Sequence, residues 1–251
     1  MRKNLYEELY LLEEKHWWHL AKRDIGLRLL KKYLPKKNPK ILDIGCGTGK
    51  NVEALEELGE TWGIDVSENA IRYCKKRGLK NVKLAKAEAT GFKENSFDII
   101  VLFDVLEHVD DVKTIKEISR ILKPNGLVLI TVPAYLWLWS KWDEVLHHKR
   151  RYTKESLTKL FSTKEFKKIH SSYAFSYLLV PAYVIRKIKS VFLKKDYPSD
   201  FKLSSTGINS VMLSMAKLEY LITEKGLTPF GTSIIYLAEK RVKLSTSGGN
   251  Y

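Results

Sequence analysis

Residues 40–51 read KILDIGCGTGKN: a short apolar run, glycines at 45, 47 and 49, then a helix-forming stretch. Glycine at alternate positions lets the backbone turn through positive φ and lets a ligand approach the main chain. The following helix opens with N–H groups that have no intrahelical partner. This feature predicts a strand–loop–helix unit with a ligand at the carboxyl end of the strand, and its spacing excludes two ligand classes. A triphosphate loop needs GxxxxGK[ST], but Ile44 stands at its first glycine and Asn51 at its Ser/Thr. A dinucleotide loop needs GxGxxG, and Lys50 occupies the third glycine. What remains is acid-x-Gly-x-Gly-x-Gly, with Asp43 inside the strand.

The pattern then alternates. TWGID (61–65), NVKLA (81–85), SFDIIVLFD (96–104) and LVLITVP (127–133) read as strands, with helices over 51–58, 70–76 and 111–122 and a KPNG turn at 123–126. Short apolar strands between helices predict a parallel, doubly wound α/β sheet covered on both faces. Ahead of it, 4–34 is helical, interrupted by HWW at 16–18 and stopped by prolines at 35 and 39. Behind it come a short helix capped by Thr153, a sixth strand at 166–173, and an apolar-then-basic stretch at 174–195. A linker at 196–205, an amphipathic helix over 209–225 and a closing strand within 229–240 follow. The organisation expected is one domain over 1–245: a helical cap (1–39), a core (40–173), an insertion (174–226) and a last strand (227–240). The tail 241–251 is expected to be disordered.

Composition narrows the partners. Residues 1–150 carry 27 Lys/Arg against 22 Asp/Glu, whereas 147–195 alone carry 13 against 2. So local an excess points to an anionic partner near that segment. The two cysteines, Cys46 and Cys74, provide no disulfide framework, and the N-terminus has no apolar signal run. A reducing, cytoplasmic setting is expected. The chain lacks glutamine and is rich in Lys and Glu, a bias found in hyperthermophile proteins.

With the motifs taken together, 40–133 resembles a class I S-adenosylmethionine-dependent methyltransferase, with its Rossmann-like seven-stranded sheet. The resemblance implies that Asp43 and the loop Gly45, Cys46, Gly47 and Gly49 meet the methionine part of S-adenosylmethionine. It implies that Asp65, followed by Val66, takes the ribose hydroxyls; a helix-capping role is the alternative. Ala87 and Glu88 would frame the adenine, although Lys86 stands where the family usually has an aspartate. FDVLEHV (103–109), with Asp104, would close over the cofactor, and the D/NPPY signature for methylating nucleobase amines is absent there. Ubiquinone-type O-methyltransferases have an acid-x-x-Glu-His arrangement at this place, thought to hold a divalent metal; here it would be Asp104, Glu107 and His108. No metal is the expectation, with loop packing the role of these three.

A subset of such proteins, associated with envelope sugar or lipid-linked chemistry, is similar further along. It shares HWW and a following arginine (His16–Trp18 and Arg23), a W-S-x-x-D…H-x-R-R-Y segment and an ending like PFGTS at 229–233. Residues 137–153 therefore read as the acceptor wall. Tryptophans such as Trp139 would shield the reaction, and Arg150 and Arg151 would fix a phosphate or carboxylate. His148 is the first candidate for a base, then His147, with Tyr152 beside them; unassisted transfer to an acidic acceptor is the alternative. The expected reaction is methylation of an oxygen, with nitrogen the alternative, on a small or lipid-linked anionic or amphiphilic acceptor, quinone-like or an envelope sugar. An RNA methyltransferase and a non-catalytic cofactor-binding scaffold are the rivals. The stretch 174–195 suits contact with an anionic membrane surface, packing against the fold, or an RNA backbone.

Overall fold

The structure, a computed structural model, describes residues 3–161, 165–192 and 206–242. One sheet contains β1 (Lys40–Ile44), β2 (Glu60–Asp65), β3 (Val82–Leu84), β4 (Phe97–Phe103), β5 (Leu122–Pro133), β6 (Phe166–Ala174) and β7 (Ser233–Lys240). Their spatial order is β3-β2-β1-β4-β5-β7-β6. All pairings from β3 across to β5 are parallel, and β7 lies antiparallel between β5 and β6. The strand order reverses between β1 and β4. Such a switch point opens a crevice at the carboxyl ends of the strands, where open α/β sheets bind ligands.

Alternate residues of each strand serve opposite layers. Ile41, Ile99, Val101 and Leu129 pack with Ile25 and Leu29 of α2 (Trp17–Tyr33). Their neighbours Leu42, Ile100, Leu102 and Val128 pack with Ile115 and Ile118 of α5 (Asp111–Ile121). Smaller helices, α3 (Lys50–Leu55) and α4 (Glu68–Lys76), follow β1 and β2. The KPNG turn is present, but as an excursion inside β5. Leu122 pairs with Phe97, and the ladder resumes at Leu127 opposite Ile99, so residues 123–126 bulge out.

The N-terminal cap is two helices, α1 (Lys3–Lys15) and α2, broken at His16, whose ring accepts a hydrogen bond from the Trp18 N–H. Short helices α6 (Lys141–Val145) and α7 (Lys154–Leu160) follow β5. The stretch expected as an insertion splits into α8 (Leu179–Phe192) and α9 (Thr206–Thr223), which behave differently. Helix α9 buries Ala216 and Tyr220 in the same core as α2, and the Tyr220 hydroxyl donates to the Ala21 carbonyl at 2.7 Å. Asn209 splints the break between α1 and α2: it accepts from Trp17 N (2.7 Å) and donates to Lys15 O (2.9 Å). So α9 is a layer of the fold. Helix α8 leaves Val180, Tyr183, Val184, Ile185 and Ile188 exposed. The linker expected at 196–205 and the tail from 243 onward lie outside the described residues.

Candidate functional site

The glycine loop sits at the crevice, and each of its glycines has positive φ: 71° at Gly45, 55° at Gly47 and 92° at Gly49. Side chains there would be strained, and space forbids them as well. A Cβ at Gly45 would run into Val105, and one at Gly47 would lie 2.9 Å from a Glu13 oxygen. Three carboxylates converge on this loop. Asp65, at the end of β2, accepts from Gly47 N (3.1 Å) and Ser67 N (2.9 Å). Glu13 of α1 accepts from the Thr48 hydroxyl and, at 3.3 Å and 3.4 Å, from the Thr48 and Lys50 N–H groups. Asp43 is 1% exposed, and neither of its oxygens has a hydrogen-bond partner among the described residues.

Burial raises all three pKa values above the usual carboxylate range. For Asp65 and Glu13 the hydrogen bonds just named offset part of the rise; for Asp43 nothing does, and Cys74, Glu13 and Asp65 add to it. Acid groups crowded out of water favour a cationic ligand, because its charge would relieve both effects. The cap is latched over the loop by Arg77. Its side chain donates to Thr48 O (2.8 Å) and Tyr10 O (3.2 Å), pairs with Glu14, and lies 4.0 Å from the centroid of the Tyr10 ring.

From the loop, a cleft of about 910 Å³ runs under the cap to the segment after β5. Its walls include His16, Trp17 and Trp18 of the cap, Gly45–Gly47, Asp65, Ala87, the loop after β4, residues 146–149, and Ala182 and Ile185 of α8. The far wall centres on Asp143, whose side chain is 1% exposed. Ser140 and Asp143 form a capping box that starts α6 and holds one carboxylate oxygen on Ser140 N at 2.8 Å. The other oxygen meets His148 Nδ1 at 2.9 Å and Arg151 Nε at 2.8 Å. Burial opposes ionisation of Asp143, but His148 and Arg151 outweigh it and hold the pKa below the usual range. The His148 ring lies edge-on to His108, with centroids 4.7 Å apart, and beside them Glu107 is fully buried with both oxygens unpartnered. Burial, then Asp104, pushes Glu107 well above the usual range, while burial and His148 pull His108 down to about 4.

Residues 42–130 match a family described as a methyltransferase domain. The glycine loop, Asp65 and the loop after β4 all fall within or at this matched segment. Demethylmenaquinone methyltransferases of Staphylococcus aureus are 36% identical over 126 residues, 47% of this chain and 49% of theirs. The chain thus spans about half the length of the curated relatives it matches. Among solved structures, a SAM-dependent methyltransferase from Archaeoglobus fulgidus superposes with a TM-score of 0.57 at 19% identity, covering 87% of this chain and 94% of that one. Phosphoethanolamine N-methyltransferase 2 of Haemonchus contortus, in complex with S-adenosyl-L-methionine, gives 0.56 at 24%, covering 86% and 52%. The [4+2]-cyclase SpnF gives 0.59 at 18%, covering 91% and 87%. At these identities the structural likeness speaks for the fold, which one cyclase shares.

Within the methyltransferase domain the structure sorts the expected residues. Gly45, Cys46, Gly47, Asp65, Val66, Ala87 and Asp104 line the cleft. Asp43 and Gly49 lie behind that lining: Asp43 is buried in β1, and Gly49 packs on Cys74 and Leu79. Glu88 turns away to accept from Asp110 N at 3.1 Å. Asp104 is not grouped with Glu107 and His108; it pairs with Lys22 of α2, and His148 takes its place beside them.

On the far wall, His147, His148 and Arg151 line the cleft, whereas Tyr152, Arg150 and Trp139 do not. Tyr152 is buried, its hydroxyl donating to Leu106 O (3.2 Å) and Asp111 (3.1 Å), and Arg150 pairs with the same Asp111. Both serve the joint between α5 and the wall. Trp142, not Trp139, is the tryptophan of this segment at the cleft. Glu13 and Lys22 carry much of the polar architecture and were absent from the expected set; Asp143, the acid of the W-S-x-x-D segment, was expected in the acceptor wall without a role of its own. Asp143 could have been found from its place three residues after Ser140 in a capping pattern. Nothing local marks Glu13 or Lys22, whose partners lie 35 and 82 residues away.

Proposed function

We propose that this protein binds S-adenosylmethionine on the glycine loop and transfers its methyl group to an oxygen of an amphiphilic acceptor seated against the wall of Asp143, His148 and Arg151. The observation that carries this reading is the continuity of the cleft: the acid-ringed loop and the polar wall share one cavity. The fit to the cofactor is chemical. The loop accepts a ligand only through its main chain, and the unsatisfied Asp43 with its neighbours Glu13 and Asp65 favours the sulfonium and ammonium charges. When bound, the cofactor supplies an electrophilic methyl group on sulfur.

The chain's own residues do the rest. Asp65 is placed to take the ribose hydroxyls, and Ala87 presents a small apolar surface for the base. Trp17, Trp18 and Trp142 keep water from the space between cofactor and acceptor, where a near in-line approach is required. Arg151 is placed to hold an anionic group of the acceptor. The wall of Glu107, His108 and His148 meets the reacting oxygen and takes away its proton.

The acceptor proposed is lipid-linked and quinone-like. Three findings support it: the identity with demethylmenaquinone methyltransferases, the apolar α8 at the cleft, and the basic excess over 147–195. No helix among the described residues is long and apolar enough to cross a membrane. Peripheral contact at the cytoplasmic membrane face therefore suits α8, with Val180, Tyr183, Val184 and Ile188 outward and Lys187 beside them. An RNA track is less well supported, because Arg150 pairs with Asp111 outside the cleft and Arg151, buried beside Asp143, offers no exposed run of basic side chains with it.

The test combines calorimetry with transfer of label from methyl-labelled S-adenosylmethionine into a membrane-lipid extract, in the presence of anionic or neutral vesicles. Micromolar cofactor binding, label in the organic phase and co-sedimentation with anionic vesicles alone are expected. Failure to bind the cofactor would restore the scaffold reading; label in RNA or in water-soluble products would replace the acceptor.

A further inference from the structure

We infer that Cys46 and Cys74 form a reversible disulfide that locks the glycine loop against α4 and lowers its affinity for the cofactor. The two cysteines stand 28 positions apart, yet the fold brings their sulfurs to 3.8 Å of each other. Cys46 belongs to the loop after β1 and Cys74 to α4, and they share a small buried cluster with Val52, Ile71 and Leu79. Two glycines leave the sulfurs their room. A Cβ at Gly49 would lie 2.9 Å from Cys74 Sγ, and one at Gly63 would lie 3.0 Å from Cys46 Sγ. A disulfide bond spans about 2 Å, so the sulfurs need to close roughly half of their present gap.

The pair is wired to the ligand-facing main chain. Cys74 Sγ donates to Gly47 O at 3.4 Å, which leaves Cys46 to donate to Cys74. Gly47 is the residue after Cys46, lines the cleft, and has its N–H on Asp65. Oxidation removes the S–H that holds the Gly47 carbonyl and draws Cys46 toward α4. The main chain that meets the ligand then shifts.

Access gives the two sulfurs different roles. Cys46 lines the cleft, whereas Cys74 is fully buried behind it. With a hydroperoxide, the Cys46 sulfur attacks one peroxide oxygen and the O–O bond breaks. Cys46 becomes a sulfenic acid, and its proton leaves with the other oxygen as water or alcohol. The Cys74 sulfur then attacks the Cys46 sulfur, and the sulfenic oxygen leaves as water with the Cys74 proton. Both sulfurs are oxidised and the peroxide is reduced. The hydrogen bond to Cys74, then burial, holds the Cys46 thiol well above its ordinary value, so the pair stays reduced until oxidant accumulates. Bound S-adenosylmethionine would cover Cys46, so cofactor and oxidation oppose each other. The effect on the cofactor rests on the proposed function; the disulfide itself does not.

The experiment treats the reduced full chain with hydrogen peroxide, with and without saturating S-adenosylmethionine. Thiols are counted after unfolding, and intact mass separates a disulfide from an added oxygen. Calorimetry follows cofactor affinity in reduced, oxidised and dithiothreitol-treated protein. Both thiols should disappear together within one chain, affinity should fall at least about tenfold, and dithiothreitol should restore it. Saturating cofactor should slow the loss of thiols at least about fivefold. The oxidised chain should also unfold at higher urea, because the link constrains the unfolded chain. Cys74→Ser should instead gain oxygen at Cys46, with no rise in its urea midpoint. The proposal fails if the thiols persist, if they are lost singly or between chains, or if a complete disulfide leaves cofactor affinity unchanged. A reduced chain that binds no S-adenosylmethionine would sink the cofactor reading alone, and the thiol count and urea midpoint would still decide the disulfide.

Discussion

The loop end of the cleft and its far wall differ in what holds them. At the loop, backbone N–H groups of Gly47, Thr48, Lys50 and Ser67 are the donors, and carboxylates from β2 and α1 are the acceptors. At the wall, side chains hold side chains: one carboxylate, Asp143, positions His148 and Arg151 together. The loop is thus written into main-chain geometry that glycines permit. The wall has a keystone, and specificity for an acceptor can change there without disturbing the loop.

Asp65→Ala should expose that difference most strongly. It removes the acceptor for two N–H groups and the proposed ribose contact; hydrogen bonds to charged groups are worth about 1.5–3 kcal/mol each. Calorimetry should show S-adenosylmethionine affinity falling at least about a hundredfold. Unchanged affinity would mean that Asp65 is only a helix cap for α4.

Asp143→Ala tests the keystone from the other side. It leaves the Arg151 guanidinium, whose side chain is 5% exposed, with no ionic partner in a buried site. Breaking a buried pair in this way costs about 3–5 kcal/mol, readable in urea unfolding. Label transfer should fall at least about tenfold while cofactor affinity stays within about threefold, and His148→Ala should share that kinetic split. Loss of cofactor affinity in step with turnover would merge the two regions into one site.

These contrasts also explain what the sequence could reveal. The sheet, its order and the glycine loop rest on local patterns: apolar runs of strand length, glycines at alternate positions, and the Asp65 that ends the next strand. The wall rests on contacts between segments. HWW at 16–18 and H-x-R-R-Y at 148–152 were visible as unusual strings, yet nothing in them says that Trp18 reaches Phe175, with ring centroids 4.5 Å apart, or that Tyr152 turns inward to Asp111. Among neighbouring basic residues, Arg150 and Arg151 are indistinguishable in the sequence; the fold pairs Arg150 with Asp111 outside the cleft and turns Arg151 in to Asp143. The role of α9 was hidden for a related reason. Its exposed side also carries apolar residues such as Ile208, Val211, Leu218 and Leu221, so the core face shows only in the packing of Ala216 and Tyr220 against α2.

Asp43→Asn should have a smaller effect, with a sign set by pH. A carboxyl whose folded pKa is raised contributes stability that is full at low pH and is lost as pH rises through the folded value. The wild type should therefore lose stability relative to the Asn variant as pH rises from about 4. By neutral pH the variant should be the more stable of the two in thermal unfolding without ligand. Saturating S-adenosylmethionine should narrow or reverse the gap, since its positive charge favours ionised Asp43. If the two unfolding curves track each other across pH, the loop's acid cluster is not stressed in the empty protein.

The smallest effect should come from Arg150→Ala. Its side chain is 34% exposed and its partner is Asp111, at the start of α5 and outside the cleft. An ion pair that wet is worth about 0–1 kcal/mol, and Tyr152 still holds Asp111 by a separate hydrogen bond at 3.1 Å. Label transfer should stay within about twofold of wild type. Arg151→Ala, one residue on, should lower label transfer at least about tenfold, because Arg151 faces the cleft and braces Asp143. Equal losses in the two arginine variants would show that the acceptor binds across the outer face of 147–152, and the wall would have to be redrawn around Asp111 in place of Asp143.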